Sequence, residues 1–240
     1  MKVLLLLFML CSAALLAAPN RPVEEFETQA GTVRITVIHH ASLMIEAGGK
    51  IIQVDPWSQG SYEGLPKADL ILLTDIHQDH MDPTQAVKLK KDNTTIIAPA
   101  AVAKTMTDAK VLANAEKTTW DKWTIEAVPM YNLKRGPAEG KFYHDKGRGN
   151  GYVLTYGGTR FYIAGDTEAT PEMRALKNID VAFIPMNLPY TMTPEEAAEA
   201  VRAFHPKIVY PYHYRGSDVK AFQTALEGSG IDVRLRDWYY

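Results

Sequence analysis

The chain has 240 residues, with 26 basic and 28 acidic side chains and a formal net charge of −2. It contains no run of basic residues, which argues against a nucleic-acid partner. Its single cysteine is Cys11, so the remainder of the chain offers neither a disulfide nor a thiolate metal ligand. The length suits one α/β domain with a full hydrophobic core.

The first 18 residues have the layout of a secretory signal peptide. A positive start at Lys2 precedes an apolar run from Val3 to Leu10 and then small residues up to Ala18. The apolar run is too short to anchor the chain across a bilayer. We therefore expect a signal peptide over 1–18, a single domain over 19–240, and a secreted or periplasmic protein without a stable membrane anchor. Loss of Lys2 with the leader would leave a net charge of −3.

The first half of the domain alternates strand-like and helix-like segments. Apolar and alternating patterns predict strands, and an Asp-Pro start predicts the first helix, with Asp82 at its cap. The predicted strands are 32–38, 42–46, 51–54, 70–74 and 95–98, and the predicted helices are 82–91 and 100–107.

The second half repeats this order. A hairpin is predicted over 152–164 around Gly157-Gly158, and Thr193-Pro194-Glu195-Glu196 predicts a capped helix ending near Phe204. The remaining predicted strands are 123–128, 181–184, 208–210 and 231–235, and the last helix is 219–226. Two similar halves indicate an α/β fold with two packed sheets and helices outside, a four-layer αββα sandwich.

Four ligand-type side chains follow the buried strand that ends at Thr74. Asp75, His77 and Asp79 share one side if the chain stays extended, and His80 lies where it turns into the next helix. Imidazole and carboxylate ligands suit Zn²⁺, and also Mn²⁺ or Fe²⁺. Because Asp82 alone can cap the helix, the other four have no evident structural task, and the segment predicts a metal site.

Two distant residues repeat the design of a ligand at the end of an apolar strand. Asp166 follows the strand before Gly165, and His213 follows the strand that begins at Ile208. Carboxyl ends of strands are where α/β proteins place their sites. Each residue alone also fits a structural role, Asp166 as a turn cap and His213 as a histidine within an aromatic patch.

Together these motifs resemble the metallo-β-lactamase superfamily, in particular the branch with ascorbate-phosphate lactonases and N-acyl-phosphatidylethanolamine phospholipase D. The family motif Thr-His-x-His-x-Asp-His corresponds to 74–80, and the opening His39-His40-Ala41-Ser42, Gly165-Asp166-Thr167 and His213 occur in the family's order. The likeness spans nearly the whole domain and implies the metallo-β-lactamase αββα fold.

The chain departs from the family pattern at two positions. Asp75 stands where the first motif histidine belongs, and the segment expected to carry a middle histidine offers Tyr131 or Asn132. His144 is nearby in sequence but belongs to no motif. The resemblance implies two metals, of which one site is intact here, with ligands Asp79, His80, Asp166 and His213. The other retains His77, with Asp75 as a replacement ligand, so we expect one firm metal and a second that is weak, altered or absent.

The resemblance implies a metal-dependent hydrolase that uses a metal-activated water on an ester, a lactone or a phosphodiester of a small-molecule substrate. Asp79 would orient the water, and His40 would support the site or carry protons. Tyr212, which lies beside a motif, is the main candidate for a hydrogen-bond donor to the developing oxyanion, and Tyr131, His144 and Tyr190 are weaker ones. The alternatives are a non-catalytic metal-binding module on the same fold and a β-lactam hydrolase. The sequence does not indicate the oligomeric state.

Overall fold

The structure, a computed structural model, describes residues 20–240. The segment interpreted as a signal peptide lies outside the described residues. Within them, no helix is long and apolar enough to cross a membrane.

The first half of the described chain forms a seven-stranded sheet whose strands lie in chain order. Strands β1 to β4 are antiparallel, and β4 to β7 are parallel. The strands are β1 (Val23–Thr28), β2 (Gly31–His39), β3 (Ser42–Ala47), β4 (Lys50–Val54), β5 (Ala68–Leu72), β6 (Lys90–Ala98) and β7 (Lys110–Val111).

The second half forms another seven-stranded sheet in which the strands again follow chain order. Strands β8 to β11 are antiparallel, and β11 to β14 are parallel. The strands are β8 (Lys117–Trp120), β9 (Trp123–Met130), β10 (Gly149–Tyr156), β11 (Thr159–Ile163), β12 (Val181–Pro185), β13 (Ile208–Tyr212) and β14 (Asp232–Val233).

Helices cover the outer face of each sheet. Helices α1 (Pro83–Leu89) and α2 (Ala100–Ala103) belong to the first half, and α3 (Pro171–Arg174), α4 (Pro194–Phe204) and α5 (Val219–Ala225) to the second. One apolar cluster lies between the sheets and includes Val54, Leu72, Tyr152 and Phe183. Separate clusters pack the helices onto the sheets. The predicted four-layer αββα sandwich is confirmed.

The predicted helix starts are also confirmed. Asp82 caps α1 by accepting the backbone N–H of Gln85. Thr193 and Glu196 form a complete capping box at α4, which satisfies two of the free N–H groups of the first turn. These caps fix the segments immediately before the two helices. The segment before α1 carries ligand-type side chains, and the segment before α4 is a loop beside them.

Candidate metal centre

The ligand-type side chains meet at one edge of the sandwich, beyond the carboxyl ends of the strands. The segment 74–80 follows β5, Asp166 follows β11, and His213 follows β13. Parallel strands point their carboxyl ends to the same edge, which is where polar loops of α/β folds converge. Both halves of the chain therefore contribute to one site.

His80, Asp166 and His213 form a buried cluster. The Nε2 atoms of His80 and His213 lie 3.2 Å apart. The Asp166 carboxylate is 3.3 Å from His80 Nε2 through Oδ2 and 3.2 Å from His213 Nε2 through Oδ1. Ligand atoms that share a tetrahedral metal at ordinary bond lengths lie about 3.4 Å apart, so this spacing matches a metal's inner ligands.

Asp79 completes this cluster on the side that faces solvent. Its Oδ2 lies 3.4 Å from His213 Nε2 and 3.2 Å from His40 Nε2. Burial would raise the pKa of Asp79, but the neighbouring imidazoles of His80, His213 and His40 outweigh burial and hold that pKa well below its usual range. Asp79 is thus a charged carboxylate, and its side chain is 30% exposed.

His40 contacts the cluster through Asp79 and through His213. Its ring lies against that of His213, with centroids 3.7 Å apart, and its Nδ1 is 2.7 Å from the hydroxyl of Tyr239. Burial lowers the pKa of His40 to about 4, although the hydrogen bond to Asp79 opposes this. A neutral His40 carries one ring N–H, which Nε2 donates to Asp79 while Nδ1 accepts from Tyr239.

The orientation of His80 is fixed by Asp55 and Thr74. His80 Nδ1 lies 2.8 Å from Asp55 Oδ2, and Asp55 also accepts the N–H and hydroxyl of Thr74. A carboxylate that accepts the Nδ1 proton leaves the lone pair of Nε2 directed into the cluster, the arrangement that orients metal-binding histidines. Asp55, which directly follows β4, thus supports the site.

Asp75 and His77 form a second group, which contains an ion pair. Asp75 is fully buried, and Arg148 binds both of its oxygens at 2.9 Å. His77 Nδ1 lies 2.9 Å from Asp75 Oδ2. Burial would raise the pKa of Asp75, but His77, His144 and Arg148 hold it below its usual value. Arg148 belongs to none of the sequence motifs.

His144 belongs to this second group and points into the site. Asn132 Oδ1 accepts both the backbone N–H and the Nδ1–H of His144, each at 2.8 Å. The other ring nitrogen, Nε2, lies 3.2 Å from Asp166 Oδ2 and 3.9 Å from Asp75 Oδ2. His144 therefore lies where the family's middle histidine was expected. Its loop has no strand pattern, and the only clue in the sequence was its proximity to Asn132.

Two tyrosines proposed as donors do not reach the cluster. The hydroxyl of Tyr212 accepts the backbone N–H of Gly165 in the core, so it positions the turn that carries Asp166 and is not available to a substrate. The hydroxyl of Tyr131 is hydrogen-bonded to Glu172 and Lys146, away from the metal cluster. Tyr190, in contrast, is 43% exposed and lines a cavity above the cluster.

A cavity of about 660 Å³ opens above the cluster. Its floor is polar and its rim is mostly aromatic and apolar. It is lined by His40, Trp57, His77, Gln78, Asp79, Tyr143, His144, Asp166, Asn187, Leu188, Pro189, Tyr190, His213 and Arg215. The loop before α4, over 187–190, forms one wall.

The backbone is strained at the same place. Among the described residues, His40, Asp55 and His213 have positive φ values of 55°, 44° and 46° without being glycine. Such conformations are unfavourable for side-chain-bearing residues and concentrate at functional sites, where surrounding contacts maintain them. Here the backbone N–H of His213 donates to the carbonyl of His40, which holds two of the three together.

The chemistry of the donor set fits a bound metal. The buried atoms Asp166 Oδ1 and His144 Nε2 lack hydrogen-bond partners within the described part of the chain. Buried polar atoms are almost always paired, and lone pairs of imidazoles directed at a carboxylate repel unless a cation or a proton lies between them. His80, Asp166, His213 and Asp79 therefore have the geometry of a metal site, and Asp166 Oδ1 has the unmet pairing expected of a metal ligand.

The family model of the β-lactamase superfamily domain matches residues 34–213. The chain belongs to the metallo-β-lactamase superfamily. A UPF0173 metal-dependent hydrolase of Geobacillus sp. strain WCH70 is 32% identical over 197 residues, covering 76% of this chain and 85% of that protein.

Solved structures of this superfamily share the architecture. One from Parabacteroides distasonis ATCC 8503, provisionally named a metal-dependent hydrolase, is 47% identical, with a TM-score of 0.86 over 90% of this chain and 98% of that one. The metallo hydrolase Igni18 of Ignicoccus hospitalis KIN4/I is 23% identical, with a TM-score of 0.72 over 85% and 95% of the two chains. At that lower identity, the likeness to Igni18 shows the fold alone.

Proposed function

We propose that this protein is a metal-dependent hydrolase acting on an ester, lactone or phosphodiester bond of a small molecule. The observation that carries the proposal is the convergence of His80, Asp166 and His213 at metal-ligand spacing beneath an open cavity. Superfamily relatives named metal-dependent hydrolases support the same reaction class.

Four side chains would hold the metal, namely Asp79, His80, Asp166 and His213. A bound divalent metal lowers the pKa of a coordinated water toward neutrality and polarises the bond under attack. Mixed imidazole and carboxylate ligands favour Zn²⁺, with Mn²⁺ or Fe²⁺ as alternatives.

The remaining residues of the site orient the reactants. Asp79 presents a charged carboxylate to the cavity, where it accepts a hydrogen bond from the attacking water and fixes its direction. His40 donates to Asp79, and Tyr239 donates to His40, so His40 acts by positioning Asp79.

The rim of the cavity indicates a substrate with an apolar part. Trp57, Tyr143, Leu188 and Tyr190 surround the opening, and the rings of Tyr143 and Tyr190 contact edge to face, with centroids 4.9 Å apart. Aromatic walls bury apolar groups, while a few polar groups at the base fix orientation. Secretion or export to the periplasm without a membrane anchor remains part of this proposal and rests on the sequence of the first 18 residues. The expectation of no nucleic-acid partner also remains part of it and rests on the lack of a basic run in the sequence.

A non-catalytic metal-binding module on the same fold is the second candidate. One observation favours it, namely that Arg148 occupies both oxygens of Asp75, in the position of an expected metal ligand. The same feature argues against β-lactam hydrolysis by a two-metal site.

The test compares the wild type with His80→Asn on nitrophenyl esters, nitrophenyl phosphodiesters and lactones, with Zn²⁺, Mn²⁺ or chelator present. We expect the variant to lose turnover by at least about 100-fold, because it removes a metal ligand. His205→Asn is the matched control, since His205 is exposed and ends α4 in a left-handed conformation that asparagine tolerates. Circular dichroism confirms that each variant is folded. Equal turnover of wild type and His80→Asn on every substrate would overturn the proposal.

A further inference from the structure

The ion pair of Asp75 and Arg148 is a two-pronged, largely buried contact beside the metal cluster. Arg148 Nε lies 2.9 Å from Oδ1, and Nη2 lies 2.9 Å from Oδ2. The guanidinium side chain is 16% exposed and the carboxylate is fully buried. A two-pronged contact of this kind is the strongest geometry that an arginine and a carboxylate form.

The carboxylate of Asp75 has little capacity left for a metal. Besides Arg148, Oδ2 lies 2.9 Å from His77 Nδ1 and 3.4 Å from the backbone N–H of His77. A carboxylate oxygen offers two lone pairs. Oδ2, the oxygen nearest His77 and His144, could therefore bind a metal only if Arg148 or His77 released it, and the metal would lie within a few ångströms of the guanidinium cation.

The two groups of ligand-type residues differ in charge. At the first, Asp79 and Asp166 contact imidazoles, and among residues 20–240 neither forms an ion pair with lysine or arginine. At the second, the negative charge of Asp75 is already neutralised by Arg148. Because buried charges are stable only when paired, the first group requires a cation and the second already has one.

We propose that Arg148 takes the place of a second metal ion, so that the protein binds one metal at Asp79, His80, Asp166 and His213 and none at Asp75, His77 and His144. The inference rests on the proposed function insofar as the first group binds a metal. It adds that Arg148, which belongs to no motif, determines how many metal ions the site binds.

The test measures metal stoichiometry directly. Full-length wild type and variants are loaded with Zn²⁺ or Mn²⁺ and dialysed, and their metal content is determined by mass spectrometry and by calorimetric titration. Arg148→Met removes the guanidinium. The double variant Asp75→His with Arg148→Met leaves no buried carboxylate unpaired and supplies a third imidazole beside His77 and His144. Arg148→Lys keeps the positive charge.

Arg160→Met is the matched control. Arg160 pairs with Glu126 at 2.7 Å and is partly exposed, on strands β9 and β11. It thus loses an arginine–carboxylate pair that lies outside the cavity lining. Melting temperatures and circular dichroism are recorded for all variants.

We expect one equivalent of metal in the wild type, in Arg148→Lys and in Arg160→Met, and two equivalents in the double variant and in Arg148→Met. The second equivalent should bind at least about tenfold more tightly than any second equivalent in the wild type. Electron paramagnetic resonance with Mn²⁺ should show an isolated ion in the wild type and a coupled pair in the double variant.

Two results would overturn the inference while leaving the proposed function intact. One is a wild type that already binds two equivalents tightly. The other is a folded double variant that still binds one. A wild type that binds no metal would overturn the proposed function as well as the inference, and the outcomes are therefore distinguishable.

Discussion

At the residue scale, three of the histidines that reach the site are each oriented by a partner on the other ring nitrogen. His80 is oriented by Asp55, His144 by Asn132 and His40 by Tyr239. Such partners select the tautomer and restrict the ring, so the remaining nitrogen points inward before any ligand arrives. The motif predicted which residues would gather, but not these partners, because they come from loops whose pairing depends on the folded chain.

The contact of Asn132 with His144 provides a test at this scale. Asn132 is buried, accepts two N–H groups of His144 and donates to the carbonyl of Tyr190 at 2.8 Å. Asn132→Ala leaves these groups unpaired, and we expect the free energy of unfolding to fall by about 2 to 3 kcal/mol. Urea denaturation measures the change.

Asn93→Ala is the control for this variant, because Asn93 is exposed on β6. Its free energy of unfolding should stay within about 0.5 kcal/mol of the wild type. If Asn132→Ala were as stable as Asn93→Ala, the proposed orienting role of Asn132 would be wrong.

At the element scale, the sequence predicted the long, patterned elements and missed the short or atypical ones. Strands β7 and β8 and helix α3 have four residues or fewer, too short for a periodic pattern. Strand β1 has six residues, three of which are glutamate. Glutamate disfavours strands, and pairing with β2 overrides that preference. Helix α2 was predicted to reach Thr107 but ends at Ala103, since Thr105 and Thr107 favour helices only weakly.

Asp69 joins three neighbouring strands of the first sheet. From β5 it accepts the backbone N–H of Ile51 on β4 and the ammonium group of Lys91 on β6, each at 2.9 Å. Burial would raise the pKa of Asp69, but these two partners outweigh burial and lower the pKa. A folded-state pKa below the unfolded value means that the charged form stabilises the fold.

The stabilisation by Asp69 should therefore depend on pH. It is fully present above the unfolded pKa of about 3.9 and is lost as the pH falls through the lower, folded-state pKa. Asp69→Asn should destabilise the protein most at pH 7 and less as the pH is lowered through this range, as measured by urea unfolding at each pH. Asp92→Asn, at an exposed position, is the control, and a gap between wild type and Asp69→Asn that does not vary with pH would contradict the assignment.

At the scale of the whole molecule, the site exists only because the two halves are packed face to face. The first half contributes Asp79 and His80, and the second contributes Asp166 and His213. The repeated order of strands and helices predicted this packing. The path of the last residues could not be predicted, because Trp238 is buried in the core between the sheets and Tyr239 contacts His40 without any periodic pattern that marks them.

Glu24 links the two halves near the chain ends. From β1 in the first sheet it accepts the hydroxyl of Tyr210 on β13 at 2.7 Å and binds Arg234 at 3.2 Å, and it also pairs with Arg236. Glu24 is nearly buried, with 10% of its side chain exposed. Removing the charge of a nearly buried carboxylate leaves two arginines without their partner, which costs more than losing a surface ion pair.

We therefore expect Glu24→Gln to lower the free energy of unfolding by about 1 to 3 kcal/mol. Glu25→Gln, at the next and exposed position, should change it by less than about 0.5 kcal/mol, because its contact with Arg34 is long, at 3.9 Å, and lies on the surface. Urea denaturation followed by circular dichroism and by tryptophan fluorescence measures both variants. Trp123 and Trp238 lie in the core between the sheets, so tryptophan fluorescence reports on the separation of the two sheets.

Equal stability of the two variants would show that Glu24 does not hold the halves together. In Glu24→Gln, but not in Glu25→Gln or the wild type, the fluorescence could change at a lower urea concentration than the circular dichroism. That result would show that the Glu24 contact couples the packing of the sheets to their folding.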